Sequence, residues 1–346
     1  MDEEADVTAQ VRPRRRGLRV LAVLFTILLA IGAAGFGAWQ WALARLDARG
    51  PLAAETAVII PRGASSGTIA ERLEQAGVVA DARFFMLGLA LDRHGPALRA
   101  GEFAFPAQAS VRQAIGILRS GRTVQRRLTI PEGLTVAQII PLVEQAEGLT
   151  GTIETVPAEG ALLPETWAYA WGDTRASVVR RMTEAMDRAL AEAWAARDPD
   201  VPLANPREVL ILASIIEKET AVAEERGRVA GVFTNRLRRG MPLQSDPTVV
   251  YAASGGSGDL GRPISRADLD ADHPMNTYRN RGLPPQPIAS PGRASLMAAV
   301  RPAETDALYF VADGTGGHVF SRTLEEHNRA VARWRQIERE RGLRQN

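Results

Sequence analysis

An uninterrupted apolar run near the N-terminus is the feature that most constrains this chain. Residues 20–44 carry no charged side chain. A helix rises about 1.5 Å per residue, so roughly 20 apolar residues cross the ~30 Å hydrocarbon layer of a bilayer. Trp39 and Trp41 stand near the far end of the run, where tryptophan typically anchors a helix at the interface. The run therefore predicts a single transmembrane helix over residues 20–44.

The charges on either side of this run predict its orientation. Five arginines precede it closely and two follow it, namely Arg12, Arg14, Arg15, Arg16 and Arg19 before it, and Arg45 and Arg49 after it. Positive charge concentrates on the cytoplasmic side, so we expect residues 1–19 to form a cytoplasmic tail. Everything after about residue 45 is then exported. A cleaved signal peptide is the main alternative, but its apolar region has only about 7–15 residues. A buried core helix would not explain the charge asymmetry.

Composition excludes several functional classes. The 346 residues are 45% apolar and 24% charged, with a formal net charge of +2, as in ordinary globular proteins. Nucleic-acid binding needs a strong local excess of lysine and arginine, so we expect no nucleic-acid partner. The absence of cysteine excludes disulfides and thiolate chemistry. The four histidines are too scattered to suggest a metal cluster: His94, His273, His318 and His327. We therefore expect no metal and no cofactor.

Two short segments recur after 70 residues. The matching pairs are residues 60–63 with 130–133 and residues 74–76 with 144–146. Each copy is typical of a short apolar strand, a Pro-Gly turn and an amphipathic helix, and Thr68 and Glu71 have the spacing of a capping box. Chance similarity of two such units is the alternative. The region between the copies includes an amphipathic helix, whose apolar face is formed by Val111, Ala114, Ile115 and Leu118. We predict a small α+β module over residues 52–125.

Two longer helices follow. The first, at about residues 174–197, carries an apolar stripe that is typical of a helix facing a core. The second, over residues 207–219, is almost wholly apolar until it ends in Glu217, Lys218 and Glu219.

Of the two carboxylates at this helix end, the spacing favours Glu217 as a proton donor. It shares a helical face with the apolar or small residues at i−7, i−4 and i−3, which are Leu210, Ala213 and Ser214. We expect its carboxyl group to be partly desolvated, and desolvation raises the pKa of a carboxylic acid that must donate a proton. On this interpretation Glu219 points elsewhere. The alternative is that Glu217 forms a salt bridge with an arginine at the helix end.

Polar side chains recur downstream in short motifs bounded by glycine and proline. These motifs are residues 244–248, 276–278 and 282–285, and a strand and hairpin are predicted at residues 309–314 and 316–320. Loops that carry Gln, Asn, Asp and Tyr suit a sugar, since its hydroxyl groups need many neutral hydrogen-bond partners.

Four of these segments resemble the YceG-like family of endolytic murein transglycosylases. They are residues 212–220, 243–251, 276–278 and 282–285. The resemblance implies an α+β protein with one transmembrane helix, a LysM-like module at 52–125 and a mixed α+β catalytic domain at 126–340. It further implies that Glu217 is the catalytic acid/base, and that the substrate-binding residues are Gln244, Asp246, Asn276 and Tyr278.

The resemblance also implies a substrate, a reaction and partners. The substrate is the MurNAc–GlcNAc β-1,4 bond of nascent peptidoglycan strands, and the partners are these strands, the inner membrane and, as candidates, peptidoglycan synthases. Cleavage leaves 1,6-anhydroMurNAc ends and terminates strand elongation. Two alternatives stay open. One is a hydrolase in which Asp246 or Glu219 is the second carboxylate that ordinary glycosidases need. The other is a non-catalytic, membrane-tethered glycan-binding scaffold.

Overall fold

The computed structural model describes residues 15–344. Between Val124 and Gln125 the chain divides into two compact units, which we call unit 1 and unit 2. Helices and small two-stranded sheets make up both units. The predicted α+β class is confirmed.

The N-terminal helix α1 spans Arg15–Asp47. Its segment Arg19–Asp47 is long and apolar enough to cross a membrane, with a mean hydropathy of 2.4, and none of its most apolar window is buried. That exposure is the opposite of what a core helix shows. The last two turns differ. Leu46 is buried in the core of unit 1, Trp41 contacts the ring of Phe84 edge-on at 5.6 Å, and Asp47 pairs with Arg112.

Unit 1 continues with two antiparallel strands and three helices. In chain order they are β1 (Thr56–Ile60), α2 (Ser66–Gln75), α3 (Ala82–Leu91), β2 (Gly101–Phe105) and α4 (Val111–Ser120). In the β1–β2 register Val58 lies opposite Phe103, and both side chains are buried in the core. The predicted apolar face of α4 is confirmed, since all four of its residues are buried. Helix α4 begins at a capping box formed by Ser110 and Gln113.

The predicted capping box of Thr68 and Glu71 is wrong. Helix α2 begins three residues earlier, because the hydroxyl of Ser65 accepts the backbone N–H of Thr68 at 3.1 Å and so satisfies a first-turn donor. Thr68 therefore lies inside the helix. The extended residue before a first turn is the one that caps it, and spacing alone did not distinguish Ser65 from Thr68.

Unit 2 begins with the second of the two similar segments. Strand β3 (Gln125–Thr129) leads through a turn to α5 (Val136–Gln145), and β3 pairs antiparallel with β4 (Thr166–Ala170). The predicted order of strand, turn and helix is confirmed in both segments. The prediction that the strand is apolar is wrong for β3, because Arg126 and Arg127 occupy its middle and neither is buried.

Helices dominate the rest of unit 2. They are α6 (Arg175–Ala195), α7 (Pro206–Glu219), α8 (Arg226–Arg238), α9 (Asp246–Ala253), α10 (Arg266–Asp270) and α11 (Arg293–Val300), followed by the hairpin β5 (Tyr309–Ala312) and β6 (His318–Ser321), and by α12 (Leu324–Arg344). Helix α7 packs against α6, α8, α9 and α11. It begins at Asn205, whose side chain accepts the N–H of Glu208, with Pro206 in the first turn. Its apolar residues are almost all buried, so the helix fixes where its charged end lies.

Candidate active site

The charged end of α7 directs its two glutamates to different surroundings. Residues two apart on a helix are separated by about 200° around its axis. Glu219 follows Leu212, Ile215 and Ile216 at i−7, i−4 and i−3, and all three are fully buried. Glu219 is therefore held against the interior of unit 2.

Burial changes the proton affinity of Glu219. Its Oε1 accepts a hydrogen bond of 2.5 Å from the hydroxyl of Ser245. Desolvation raises the pKa of Glu219 to about 7, against the lowering effect of that hydrogen bond; the nearby charge of Asp246 raises it further, and the Arg236 guanidinium lowers it. A carboxyl group with such a pKa is substantially protonated at neutral pH. It can donate a proton there and then act as a carboxylate.

Glu219 lines a cavity of about 470 Å³, together with three of the four residues predicted to bind substrate. These three are Gln244, Asp246 and Tyr278. The cavity is also lined by Arg236, by the β5 residue Phe310 and by His318 at the start of β6. A protonatable carboxyl group thus shares one cavity with several hydrogen-bonding side chains.

Asp246 and Tyr278 are linked in this cavity. The Tyr278 hydroxyl donates to Oδ1 of Asp246 at 2.5 Å. Burial and the hydrogen bond to Asp246 raise the pKa of Tyr278, so the phenol stays protonated. Gln244 has a φ of 48°, a left-handed conformation that is uncommon for a residue with a side chain, and its N–H donates to the Thr277 carbonyl at 3.1 Å. The backbone thus presents the exposed Gln244 side chain at the cavity.

Asn276 does not reach this cavity. It is only 1% exposed, and its Nδ2 donates to the carbonyls of Leu269 and Ala271 at 3.0 and 2.8 Å. Its Oδ1 accepts the N–H of Tyr278 at 3.0 Å. The amide is thus occupied within the protein, where it holds the loop that carries Tyr278.

Glu217 lies in a separate cluster with Glu132, Arg226 and Gly292. Its side chain is 6% exposed; Oε2 accepts the N–H of Gly292 at 2.9 Å, and Oε1 lies 3.6 Å from the Arg226 guanidinium. The Glu132 carboxylate lies 4.0 Å from the same guanidinium. Burial and repulsion by Glu217 raise the pKa of Glu132, while Arg226 lowers it. This is the alternative arrangement considered above, in which Glu217 pairs with an arginine, and it does not bring Glu217 together with Gln244, Asp246 and Tyr278.

On the sequence-based interpretation, Glu219 points away from the site and is considered only as the second carboxylate of a hydrolase, whereas the structure places it in the cavity. The helical-face argument applied to Glu217 holds for Glu219 as well, with larger apolar residues at the same three spacings. Applying it to both carboxylates would have identified two candidates. Within residues 15–344, no group of three or more histidine, aspartate or glutamate side chains is arranged to hold a metal ion.

Comparisons with known proteins cover most of the chain. A model of the YceG-like family matches residues 58–333. A relative from Streptococcus pneumoniae D39 named endolytic murein transglycosylase is 32% identical over a 368-residue alignment, which covers 91% of this chain and 65% of the relative. A relative of the same name from Bacillus subtilis 168 is 38% identical over 178 residues, covering 51% of this chain and 48% of the relative.

A solved structure matches as well. The crystal structure of a yceG-like protein from Listeria monocytogenes is 31% identical, with a TM-score of 0.50, and the match covers 80% of this chain and 98% of that one. The present chain thus spans about 65% of the length of the pneumococcal relative and about half that of the Bacillus relative. The family match over residues 58–333 covers most of both units and every residue of the cavity discussed above. The chain belongs to the YceG-like family.

Proposed function

We propose that the chain is a membrane-anchored endolytic lytic transglycosylase of peptidoglycan, in which Glu219 is the catalytic acid. The observation that carries the proposal is the position of the Glu219 carboxyl group, which lies in a cavity lined by Gln244, Asp246 and Tyr278 and whose burial raises its pKa to about 7. The names of the two relatives support the reaction class. We assign the acid to Glu219 rather than to Glu217, because Glu217 is paired with Arg226 in the other cluster.

The reaction follows from the chemistry of one carboxylic acid and a sugar hydroxyl. Protonated Glu219 donates to the glycosidic oxygen between MurNAc and GlcNAc as the bond to the anomeric carbon breaks. The 6-hydroxyl of the same MurNAc then attacks that carbon, which closes a 1,6-anhydro ring without consuming water. The hydroxyl proton must leave as this bond forms, and Glu219, ionised by the first step, is one acceptor in the cavity. An internal nucleophile is already close to its target, so no covalent enzyme intermediate is needed.

Hydrolysis is the second candidate reaction, with Asp246 as the second carboxylate. Asp246 and Glu219 line the same cavity, and a hydrolase needs a second carboxylate to activate water or to act as nucleophile. The hydrogen bond from Tyr278 occupies one oxygen of Asp246, which favours a role in orienting substrate.

Heavy-oxygen water separates the two reactions. We expect uncrosslinked glycan to be cleaved within its strands and the new ends to carry no label, because the attacking oxygen comes from the sugar. The ends should be about 18 Da lighter than reducing ends, by the loss of one water. Mass spectrometry of the products measures both quantities. Labelled reducing ends would establish the hydrolase, and release of terminal disaccharides alone would remove the endolytic part of the proposal.

Membrane anchoring by α1 is part of the same proposal. The apolar, unburied segment Arg19–Asp47 and the arginines before it support a cytoplasmic tail at residues 1–19, a span at 20–44 and a periplasmic remainder. We further propose that residues 52–125 act as a LysM-like glycan-binding module, that residues 126–340 form the catalytic domain, and that peptidoglycan synthases are partners. This division places glycan binding and cleavage on the same side of the membrane.

The orientation has a direct test. We expect the full chain to remain in the membrane fraction after alkaline extraction, because only an integral span resists it. A reporter that folds only outside the cytoplasm should be active when fused to the C-terminus. The control is the same reporter fused within residues 1–19, which should be inactive. An active fusion in the tail with an inactive one at the C-terminus would contradict the orientation and remove access to the wall.

A further inference from the structure

A histidine and a glutamate form a close pair at the edge of the Glu219 cavity. Glu225, at the start of α8, accepts two hydrogen bonds from His318, the first residue of β6. One comes from the His318 backbone N–H to Oε1 at 2.9 Å, and the other joins Nδ1 of the ring to Oε2 at 2.6 Å. Both side chains are mostly buried. The pair thus ties the β5–β6 hairpin to α8.

The pairing determines which ring nitrogen of His318 is available. An ionised carboxylate only accepts hydrogen bonds, so Nδ1 carries the proton and a neutral His318 has its lone pair on Nε2. Nε2 has no hydrogen-bond partner in the part of the chain that the structure describes, and it is not among the fully buried unpaired atoms. His318 lines the cavity, whereas Glu225 does not. The ring of Phe310 packs edge-on against the imidazole at 5.4 Å and restrains its orientation.

We propose that His318, rather than Glu219, accepts the proton of the attacking sugar hydroxyl, with Glu225 as its positioning residue. This inference rests on the proposed transglycosylase function. In this scheme Glu219 and His318 each take part in one proton transfer. Glu219 gives its proton to the glycosidic oxygen as the bond from that oxygen to the anomeric carbon breaks. The 6-oxygen forms its bond to the same carbon and releases its proton to Nε2 of His318.

The His318–Glu225 pair resembles other histidine general bases whose imidazole is hydrogen-bonded to a carboxylate. In such pairs the carboxylate fixes the tautomer of the imidazole and stabilises the imidazolium that forms. After the step Glu219 is ionised and His318 is protonated, and exchange with water resets both. The reaction consumes no oxidant, reductant or external nucleophile.

Several charged groups surround the pair. Helix α8 contributes Glu225, Arg228 and Arg236. The hairpin turn contributes Asp313, whose pKa is lowered by the hydrogen bonds that it accepts from Thr315 and Gly317. The other charged or titratable groups that line the cavity are Glu219, Asp246, Tyr278, Tyr309 and His327. Among the residues that the structure describes, only Glu225 is hydrogen-bonded to a ring nitrogen of His318.

The test measures kcat and KM against pH for the full chain in detergent, with defined uncrosslinked glycan oligomers as substrate. Wild-type activity should fall at high pH, where Glu219 is ionised. His318→Gln should lower kcat about 10²-fold with little change in KM, because glutamine keeps a polar side chain at this position but cannot accept the proton. Added imidazole should restore part of the activity of His318→Ala.

Glu225→Gln provides the test of the positioning role. An amide still accepts a hydrogen bond but stabilises the imidazolium less, so kcat should drop, though less than in His318→Gln, with little change in KM. A thermal melt of each variant reports the structural part of the pair separately.

The outcomes separate this inference from the function on which it rests. An unchanged kcat in His318→Gln, or a loss confined to KM, would overturn the role of His318 while anhydro ends still form. Wild-type protein that yields only reducing ends, or no cleavage, would refute the transglycosylase function itself.

Discussion

Glu219→Gln is expected to lower the rate of glycan cleavage by about 10²–10⁴-fold, the usual contribution of a general acid. Glutamine has nearly the same shape, and its Oε1 can still accept the hydrogen bond from Ser245. It cannot transfer a proton. Product release from uncrosslinked glycan, followed by mass spectrometry, measures the rate, and binding of glycan should persist.

Glu217→Gln is the matched control, because it makes the same change two residues away on the same helix. Glutamine at position 217 can still accept the N–H of Gly292 but no longer pairs with the charge of Arg226. We expect a much smaller loss of cleavage than for Glu219→Gln. Equal losses would contradict the separation of the two glutamates, and an inactive Glu217→Gln beside an active Glu219→Gln would return the acid to Glu217.

The raised pKa of Glu219 also predicts that Glu219→Gln differs from the wild type in how its stability depends on pH. Since its folded-state pKa is raised from 4.5 to about 7, its contribution to stability is fully present below about 4.5 and is lost as the pH rises through about 7. Glu219→Gln cannot ionise. Relative to wild type it should therefore gain stability above pH 7, by at most about 3 kcal/mol, and this gain should accompany its loss of activity. Activity of the wild type should fall over the same alkaline range.

The second large effect is expected from Arg226→Met, which should reduce the free energy of unfolding by about 3–5 kcal/mol. The Arg226 side chain is 13% exposed and faces the carboxylates of Glu217 and Glu132. Methionine fills similar space but leaves two neighbouring carboxylates, one of them almost fully buried, without a cation. Urea unfolding followed by tryptophan fluorescence measures the change.

The pH dependence of this loss has a definite sign. Arg226 lowers the pKa of Glu132, so its removal should raise that pKa further. A folded-state pKa above the unfolded value costs stability as the pH rises through it. The loss should therefore be larger in neutral than in mildly acidic solution. Arg239→Met, at an exposed position that ends the same helix, should change stability by no more than about 0.5 kcal/mol. A comparable loss in both variants would show that the pairing of Arg226 with Glu217 and Glu132 adds nothing to the free energy of unfolding.

Patterns that lie within one element were predictable from the sequence. The apolar run identified α1, spacing identified the buried face of α4 and the length of α7, and alternation around glycine identified the β5–β6 hairpin. In each case the signal is a local period or a turn residue, and the tertiary structure reinforces it.

The composition of the site was less predictable, because it depends on contacts between distant residues. Glu132 and Gly292 meet Glu217 across 85 and 75 residues of sequence, and Glu225 meets His318 across 93. Local spacing carries no information about such pairs. It correctly predicted that Glu217 is desolvated, but it could not decide between a catalytic position and the arginine pairing that the structure shows. It also did not anticipate that the side-chain amide of Asn276 donates its hydrogen bonds to backbone carbonyls.

Leu46 is buried in the unit 1 core and the exposed Trp41 contacts Phe84, so α1 enters this unit without a flexible joint. In a bilayer, any tilt or rotation of α1 is then passed directly to unit 1. The number of residues in the apolar run then determines the position of unit 1 relative to the bilayer. One extra turn would lift unit 1 by about 5.4 Å, and one extra residue would turn it by about 100° about the helix axis. If α1 spans the membrane as we propose, the length of the span thus sets both the height of unit 1 above the bilayer and its rotation about the helix axis.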